Sequence, residues 1–371
     1  MRITAAVCNS SDGQLSVEEV FLDEPGPHDV LVRVSAAGVC HTDYHYLVGD
    51  LQAPKPFVPG HEGAGVVEAV GSAVTHLSPG DSVCFMWRPR CGECPFCLTG
   101  RPALCQAAAI YATSGGLLDG RTRLHRADGA PLNHLLGVSC FAEYCVVSEK
   151  AAVAVAKDIP AEVAAITGCA VITGVGAVLN AVGRCAGDSI VIFGAGGVGL
   201  SAVIGAALAG AAHIAVVDVV EERLAAAAQL GATHLINATR VSVAEALRDI
   251  DPLGLHWAIE AVGAQETFGQ AFDALRPGGT VVVVGLGAVG RTVSYPLNVL
   301  VQREKRIVGS LYGTANPPVD IPRLLDLYRA GRLPIDRLVG RRYPLADVSE
   351  AVASLQRDAV GRAVLLPGIE Q

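Results

Sequence analysis

The chain has 371 residues, which is enough for two domains of ordinary size. Hydrophobic residues make up 51% of the chain and charged residues 17%, and this composition excludes a disordered protein. The formal net charge of −8 comes without any run of lysine or arginine, so we expect neither nucleic acid nor an anionic membrane as a partner.

The first residues, MRITAAVCNSSDG, lack the basic and then apolar pattern of an export signal. The longest apolar stretch, residues 202–217, is interrupted by glycine and histidine, and we interpret it as a buried helix and strand rather than a membrane span. We therefore expect a cytoplasmic protein. In a reducing cytosol the 11 cysteines are not expected to form disulfides.

Short strand-like segments dominate the first part of the chain. Residues 30–35, 65–70, 81–86 and 144–148 are β-branched, and most are bounded by glycine or proline. We expect a small β-barrel with long loops here, in a domain that spans residues 1–170.

Four cysteines lie together in one loop of this domain. Cys91, Cys94, Cys97 and Cys105 have the spacing C-x2-C-x2-C-x7-C, and such closely spaced thiolates suit a closed tetrahedral zinc site. Four thiolates also suit an iron–sulfur cluster, which is the competing chemistry. A zinc ion with four thiolate ligands has no open position, so we expect this site to be structural.

Three more candidate metal ligands are dispersed in the sequence. Cys40 lies in GVCHTD, His61 in GHEG and Cys169 in GCA. Together with a water molecule, these three side chains would make a catalytic zinc site with one open position. Spacing alone does not join them, and an isolated histidine is more often structural. The remaining cysteines are interpreted as small core residues: Cys8, Cys84, Cys140, Cys145 and Cys185.

The pattern changes at about residue 187, where apolar strands begin to alternate with alanine-rich helical segments. Repeated strand and helix units predict a parallel, doubly wound sheet, which we assign to residues 171–311. The tail, residues 312–371, is expected to rejoin the first domain. The predicted strands of the sheet are residues 189–193, 213–217, 233–236, 256–260, 280–284 and 306–309.

A glycine motif follows the first of these strands. Gly194, Gly196 and Gly199 fit G-x-G-x-x-G, and together with Gly197 and Val198 they open a predicted helix. Glycine permits the tight turn, the close approach of a pyrophosphate and close packing of the helix on the sheet. The helix N-terminus then faces the phosphates of a dinucleotide.

An acidic residue ends the second predicted strand. Asp218 follows Gly194 by 24 residues, where an acid holds the adenosine ribose hydroxyls. A carboxylate there repels a 2′-phosphate, so NAD is favoured over NADP. The alternative is that Asp218 caps the helix that begins near Glu221.

In these residues the chain resembles the zinc-containing medium-chain alcohol dehydrogenases, nearly from end to end. The similarity is carried by GVCHTD, PGHEGAGVVEAVG, CGECPFCLTGRPALC, GCAVITGVGAV and FGAGGVGL. The resemblance implies an α/β plus β fold, in which a GroES-like β-barrel catalytic domain is joined to a Rossmann coenzyme domain. The long segment between Cys105 and Phe141 resembles the longer-loop dimeric branch of the family, so we expect a homodimer.

The resemblance also implies roles for single residues. Cys40, His61 and Cys169 would bind the catalytic zinc, with Glu62 beside the ligand histidine. Thr42 matches the hydroxyl residue that contacts the substrate oxygen, and His45 matches the histidine that ends the proton relay. His41 matches a position that contacts coenzyme phosphate, and Arg223 one that contacts the adenosine ribose. The expected coenzyme-binding residues are His41, Gly194, Gly196, Gly197, Val198, Gly199, Asp218, Arg223 and Leu286.

The expected reaction is the interconversion of an alcohol and its aldehyde with NAD(H), with two zinc ions per chain. Zinc would lower the pKa of the alcohol, whose proton would leave by way of Thr42, the nicotinamide ribose and His45. The coenzyme would carry the hydride, while the protein supplies orientation and electrostatics.

Some positions depart from the family and bear on the ligands. Leu365 stands where an arginine often contacts pyrophosphate, with Arg362 close by. Ala109 stands where the glutathione-dependent branch has an arginine, so a glutathione adduct lacks an expected charged partner. Arg88 and Arg90, beside the cysteine loop, could serve an anionic substrate, although exposed loop arginines are the commoner case.

The resemblance implies an apolar substrate pocket, although the same residues could equally be ordinary core. We expect a largely apolar primary alcohol as the substrate. The alternative is a formaldehyde dehydrogenase that acts on a thiol adduct of the mycothiol type. A non-catalytic sensor is disfavoured by the intact set of ligand and relay residues. The expected lining residues are Trp87, Leu135, Leu136, Leu286 and Leu311.

Overall fold

The computed structural model describes residues 1–108, 114–357 and 360–368, so Ala109 lies outside the described residues. The chain divides into two compact units, which are both made from more than one stretch of sequence. The first unit comprises Met1–Cys169, Asn316–Ala330 and Val339–Gln371, and the second comprises Ala170–Ala315 and Gly331–Leu338.

Two sheets build the first unit. The five-stranded sheet contains, in spatial order, Arg2–Val7, Ser16–Leu22, Leu124–His125, Pro131–His134 and Phe57–Val58. The seven-stranded sheet contains, in spatial order, Ala152–Val155, Ser82–Phe85, Glu62–Val70, Asp29–Gly38, Arg362–Leu366 and Val339–Pro344, with Tyr144–Ser148 paired to Asp29–Gly38.

The core of the first unit lies against the seven-stranded sheet. Val30, Val32 and Val34 are buried at every second position of one strand, which is the periodicity of a strand with one face on the core. Among the described residues, the α-helices of this unit include His41–Val48, Pro95–Leu98, Ala161–Ile166, Pro317–Arg329 and Val348–Ser354.

The second unit contains a six-stranded parallel sheet. Its strands, numbered along the chain from one to six, lie in the spatial order 3-2-1-4-5-6, which is the order of the dinucleotide-binding fold. The predicted doubly wound sheet is therefore confirmed. In chain order the strands are Ser189–Phe193, His213–Asp218, His234–Asn237, Leu255–Glu260, Leu275–Val283 and Arg306–Gly309.

Helices connect most of these strands. Gly197–Leu208 has small residues where it packs, and an added Cβ at Gly174 would overlap the carbonyl oxygen of Val198. The glycines at such contacts let backbone approach backbone. The α-helices of the second unit are Ile172–Gly176, Gly197–Leu208, Glu221–Gln229, Val243–Ile250, Gln265–Asp273 and Leu297–Gln302.

One helical stretch among the described residues, Ala161–Val182, is long and apolar enough to cross a membrane by length and composition alone. Its most apolar part is 89% buried inside the protein, as in a core helix. The five cysteines outside the two candidate metal sites are also buried, which confirms their interpretation as core residues.

Candidate functional site

The structure brings Cys40, His61, Glu62 and Cys169 together in the first unit. One ligand atom of each lies within 4.8 Å of those of the others, and all four residues are buried. His61 Nε2 lies 3.5 Å from Cys169 Sγ. Two thiols and an imidazole nitrogen are the donor set expected for a zinc ion with an open position, so these residues fit the metal.

Local structure explains how the first three of these residues meet. Cys40 follows the strand Asp29–Gly38 and caps the N-terminus of the helix His41–Val48. Glu62 begins the neighbouring strand and pairs directly with Gly38, so His61 and Glu62 arrive beside Cys40. A side chain at Gly38 would overlap the Glu62 carboxylate, which explains why this position is a glycine.

Asp43 ties the two ligand-bearing segments together. Its carboxylate is fully buried and accepts hydrogen bonds from the backbone N–H groups of Cys40 (3.1 Å) and Gly60 (3.2 Å). The same carboxylate lies 2.9 Å from His61 Nδ1. A carboxylate at Nδ1 places the ring proton there and leaves Nε2 free to bind a metal. Sequence reasoning missed this role, although an acid three residues after a helix cap is a recognisable signal.

The charges of the cluster affect its ligands differently: the pKa of Cys40 is lowered, whereas the pKa values of His61 and Cys169 are raised. A hydrogen bond from Cys169 holds the pKa of Cys40 well below its usual range, in spite of burial. Burial lowers the pKa of His61 and the Asp43 carboxylate raises it, with a net increase. The thiolate is the form in which cysteine binds a metal, and the cluster stabilises that form at Cys40.

A buried ion pair lies next to this cluster. Arg362 Nε is 3.2 Å from Glu62 Oε2, and Arg362 Nη1 donates to the carbonyl oxygen of Val39 at 3.1 Å. Burial raises the pKa of Glu62 to about 8, and the Arg362 charge opposes that increase. Leu365, which stands where the family often has an arginine, is fully buried. The positively charged residue of this strand is Arg362, at its start.

The expected relay residues lie on the helix that Cys40 caps. The Thr42 N–H points at Cys40 Sγ, 3.5 Å away. His45 lies about one turn further on and is 23% exposed. Its Nδ1 is 2.9 Å from Asp50 Oδ2, a partner that sequence reasoning did not assign. His41 is exposed in the first turn of the same helix.

Cys91, Cys94, Cys97 and Cys105 form the second cluster, with their sulfur atoms within 4.8 Å of one another. Backbone N–H groups point at these sulfurs, from Cys91 to Cys105 Sγ and from Cys94 to Cys91 Sγ, both at 3.3 Å. Backbone hydrogen bonds also lower the pKa of Cys94 to about 6. Burial raises the pKa of Cys97 to about 12, so the loop favours the thiolate at Cys94 but not at Cys97. Four sulfur atoms this close together fit a metal ion.

The glycine motif of the second unit forms a tight turn before the helix Gly197–Leu208. Gly194 has a φ of +90°, and a Cβ at Gly199 would overlap the carbonyl oxygen of Gly194. At Gly196 an added Cβ would meet no protein atom within 4 Å, so protein packing alone does not require glycine there. The helix has no side-chain N-cap, so its first N–H groups can face an anion.

Asp218 is 8% exposed at the end of the second strand of the sheet. Its carboxylate accepts hydrogen bonds from the backbone N–H groups of Ala195 (2.6 Å), Val219 (2.8 Å) and Val220 (2.9 Å). It therefore braces both the glycine turn and the start of the next helix, which carries Arg223. Two oxygens with four acceptor sites can bind a further hydroxyl group.

The expected pocket residues have different surroundings. The Trp87 ring lies edge-on to His61, with 6.2 Å between ring centroids, which places it at the metal cluster. Leu135 and Leu136 are packed in the core of the first unit. In the second unit, Leu286 is 48% exposed and Leu311 is partly buried.

Comparison with known proteins follows the same division of the chain. Residues 26–157 match the alcohol dehydrogenase GroES-like domain, and residues 197–330 match the zinc-binding dehydrogenase family. An NDMA-dependent alcohol dehydrogenase of Amycolatopsis methanolica is 39% identical over 99% of both chains. The chain belongs to the zinc-dependent alcohol dehydrogenase family. The dehydrogenase is thus an oxidoreductase, and the predicted GroES-like domain is confirmed.

The chain is also similar to two enzymes whose names state a substrate. The crystal structure of benzyl alcohol dehydrogenase from Acinetobacter calcoaceticus is 35% identical, covers 99% of both chains and gives a TM-score of 0.93. An S-(hydroxymethyl)glutathione dehydrogenase of Saccharomyces cerevisiae is 34% identical over 98% of this chain and 96% of its own length.

The two clusters predict two metal sites that can be lost separately. Asp43→Asn removes the charge that orients His61, so we expect one zinc ion per chain to bind about 10–100-fold more weakly. Cys94→Ser removes a ligand of the other site, and we expect loss of that ion and a lower melting temperature. Metal analysis during chelator competition measures both effects.

The control is Cys185→Ala, which replaces a buried cysteine of the second unit and should leave the zinc content unchanged. Iron and sulfide in the wild type would contradict the zinc assignment of the cysteine loop.

Proposed function

We propose that this dehydrogenase interconverts a largely apolar primary alcohol and its aldehyde with NAD(H), at a zinc ion held by Cys40, His61 and Cys169. The observation that carries the proposal is the buried donor set of these residues, with His61 oriented by Asp43. When bound, zinc would supply a Lewis acid that acidifies the alcohol hydroxyl.

Residues of the chain itself would manage the proton. Thr42 lies in the turn that begins at Cys40, and its hydroxyl would accept the proton of a substrate bound at the metal. His45 is partly exposed and would release the substrate proton to water. Glu62 and Arg362 form a buried pair beside the ligands, with 3.2 Å between Oε2 and Nε.

The glycine turn and Asp218 would hold NAD. The open N-terminus of the helix Gly197–Leu208 suits the pyrophosphate, and the space above Gly196 lets it approach the backbone. Asp218 would accept a ribose hydroxyl, with Arg223 nearby on the following helix. The roles of His41 and Leu286 in coenzyme binding belong to the same proposal.

A second zinc ion would be structural. Four thiolates leave no open coordination position, so this ion would stabilise the loop and would not meet substrate. The iron–sulfur alternative has the same ligands and is decided by metal analysis.

The surroundings of Trp87 favour a free apolar alcohol over a thiol adduct. Trp87 lies at the metal cluster, and an aromatic face there suits a substrate such as benzyl alcohol. Of the two arginines considered for an anionic substrate, Arg90 is exposed. Arg88 is already engaged, because its Nε donates to the carbonyl oxygen of Ala103 at 2.8 Å and its guanidinium lies over the Trp87 ring. Charged adducts buried without free partners would be costly.

The proposed substrate class is tested with a panel of benzyl and medium-chain alcohols, compared with formaldehyde alone and formaldehyde with glutathione or mycothiol. We expect kcat/KM for the apolar alcohols to exceed that for either adduct by at least about tenfold, because the pocket gains by burying apolar surface. NADH absorbance is the measurement. Efficient turnover of a thiol adduct alone would replace this proposal with the formaldehyde dehydrogenase.

The coenzyme assignment is tested by Asp218→Gly. The change removes the charge that repels a 2′-phosphate, so we expect the ratio of kcat/KM for NAD to that for NADP to fall by about tenfold or more. The control is Asp251→Gly, an acid that follows an outer helix of the same unit and should leave the ratio unchanged. Wild-type enzyme that already prefers NADP would contradict the role of Asp218.

A homodimer is proposed as the assembly. The strand Arg306–Gly309 is an edge of the parallel sheet, with its outer hydrogen-bonding groups unpaired within the described sheet. The helix just before it exposes Leu297 (72%) and Val301 (67%). An exposed edge strand can pair with a strand of another chain. In a dimer with a twofold axis, the edge strand of each copy would pair with the same strand of the other copy.

Replacement of this surface should separate the copies. We expect Val301→Glu to convert a dimer into a monomer at micromolar concentration, because a charge in the interface would be buried without a partner. Sedimentation velocity is the measurement. Leu253→Glu changes an equally exposed leucine elsewhere in the second unit and should leave the assembly intact. A monomeric wild type would contradict the proposal.

A further inference from the structure

His45 is paired with a carboxylate that comes from beyond the end of its own helix. The helix His41–Val48 stops at Gly49, whose φ of +85° is in the left-handed region that glycine adopts without strain. The turn brings the next residue, Asp50, back over the last turn of the helix. Asp50 Oδ2 then lies 2.9 Å from His45 Nδ1.

Other contacts close the helix without this carboxylate. The Leu51 N–H donates to the carbonyl oxygen of His45 at 3.1 Å, and Gln52 Nε2 donates to that of Gly49 at 2.8 Å. These bonds satisfy carbonyl groups that a helix end leaves open. The Asp50 side chain is therefore not needed to end the helix, and its contact with the ring requires another explanation.

The pair selects one form of the imidazole. A carboxylate only accepts hydrogen bonds, so Asp50 fixes the proton of neutral His45 on Nδ1 and leaves Nε2 as the acceptor. The other groups near this turn are the Tyr44 ring, which lies edge-on to His45, and Lys55, whose ammonium is hydrogen-bonded to Ser11 Oγ and to the Tyr46 carbonyl oxygen. Of the groups that contact His45, the Asp50 carboxylate is the charged one.

We infer that Asp50 is a positioning residue for proton release. It holds the His45 ring in one orientation, with Nε2 free to take a proton that then passes to water. The inference rests on the proposed relay and adds a residue to it. The step balances, because one proton arrives at Nε2 and one leaves to solvent, with no change of oxidation state in either side chain.

The test compares Asp50→Leu, Asp50→Glu and His45→Gln with wild type, using single-turnover NADH formation from benzyl alcohol. We expect Asp50→Leu to slow this rate by about fivefold to tenfold. KM should change little, because neither Asp50 nor His45 is proposed to bind the substrate directly. Added imidazole buffer should restore much of the rate. Asp50→Glu should retain most of it, because a carboxylate remains within reach of the ring.

A second readout does not depend on turnover. In ¹⁵N spectra of histidine-labelled enzyme, we expect neutral His45 to carry its proton on Nδ1 in the wild type and to lose that preference in Asp50→Leu. His45→Gln assigns the signal. The matched control is Asp23→Leu, which breaks another carboxylate–histidine pair, with His125 at 3.0 Å, on the surface of the same unit. It should alter neither the rate nor the His45 signal.

The double variant separates the inference from the proposed function. If Asp50 acts through His45, Asp50→Leu should add nothing to the effect of His45→Gln, whereas independent effects would multiply and would overturn the inference. A normal rate in Asp50→Leu with a slowed His45→Gln overturns the inference alone. A normal rate in His45→Gln overturns the relay itself, and the inference with it.

Discussion

A single buried carboxylate organises the metal cluster of this dehydrogenase. Asp43 accepts hydrogen bonds from the segments that carry Cys40 and His61, which are neighbours only in the folded chain. A carboxylate without hydrogen bonds would be very costly at this depth, so the two segments and Asp43 stabilise one another. The result is a donor set whose geometry is held by protein contacts.

The order of strands in the sheets brings the other residues of the proposed sites together. The strand Asp29–Gly38 lies between Glu62–Val70 and Arg362–Leu366, so Glu62 and Arg362 come from its two sides and meet where it ends. In the second unit, parallel strands bring the glycine turn and Asp218 to the same edge of the sheet. Cys40 and Asp218 lie where strands end, whereas Cys169 comes from the helical segment Thr167–Val171.

Local patterns in the sequence predicted part of the fold and one of the two cysteine-containing clusters. The alternation of strands and helices indicated the doubly wound sheet, and the cysteine spacing indicated a cluster that the structure does bring together. The meeting of Cys40, His61 and Cys169 was available only through the family resemblance, because spacing in sequence does not report distance in space. Asp43, Asp50 and the Glu62–Arg362 pair were missed, since each acts through a turn or a strand neighbour.

The interpretation of Asp218 shows a different limit. The sequence offered a ribose-binding acid or a helix cap, and the structure has it bracing backbone on both sides of the turn. These roles share one carboxylate, so a pattern could not have separated them. Likewise, leucines of a pocket and leucines of a core look alike in sequence, and Leu135 and Leu136 lie in the core.

The pairing of Glu62 with Arg362 has a consequence for biosynthesis. The two residues are 300 positions apart, and the whole second unit except Gly331–Leu338 is translated between Cys169 and Asn316. Glu62 therefore leaves the ribosome long before Arg362 is synthesised. The parallel sheet of the second unit, in contrast, has all six strands once residue 309 has emerged. Since domains fold as units during synthesis, the inserted unit can fold first. The unit that holds the metal ligands must wait, with its sheet incomplete, until Arg362 arrives.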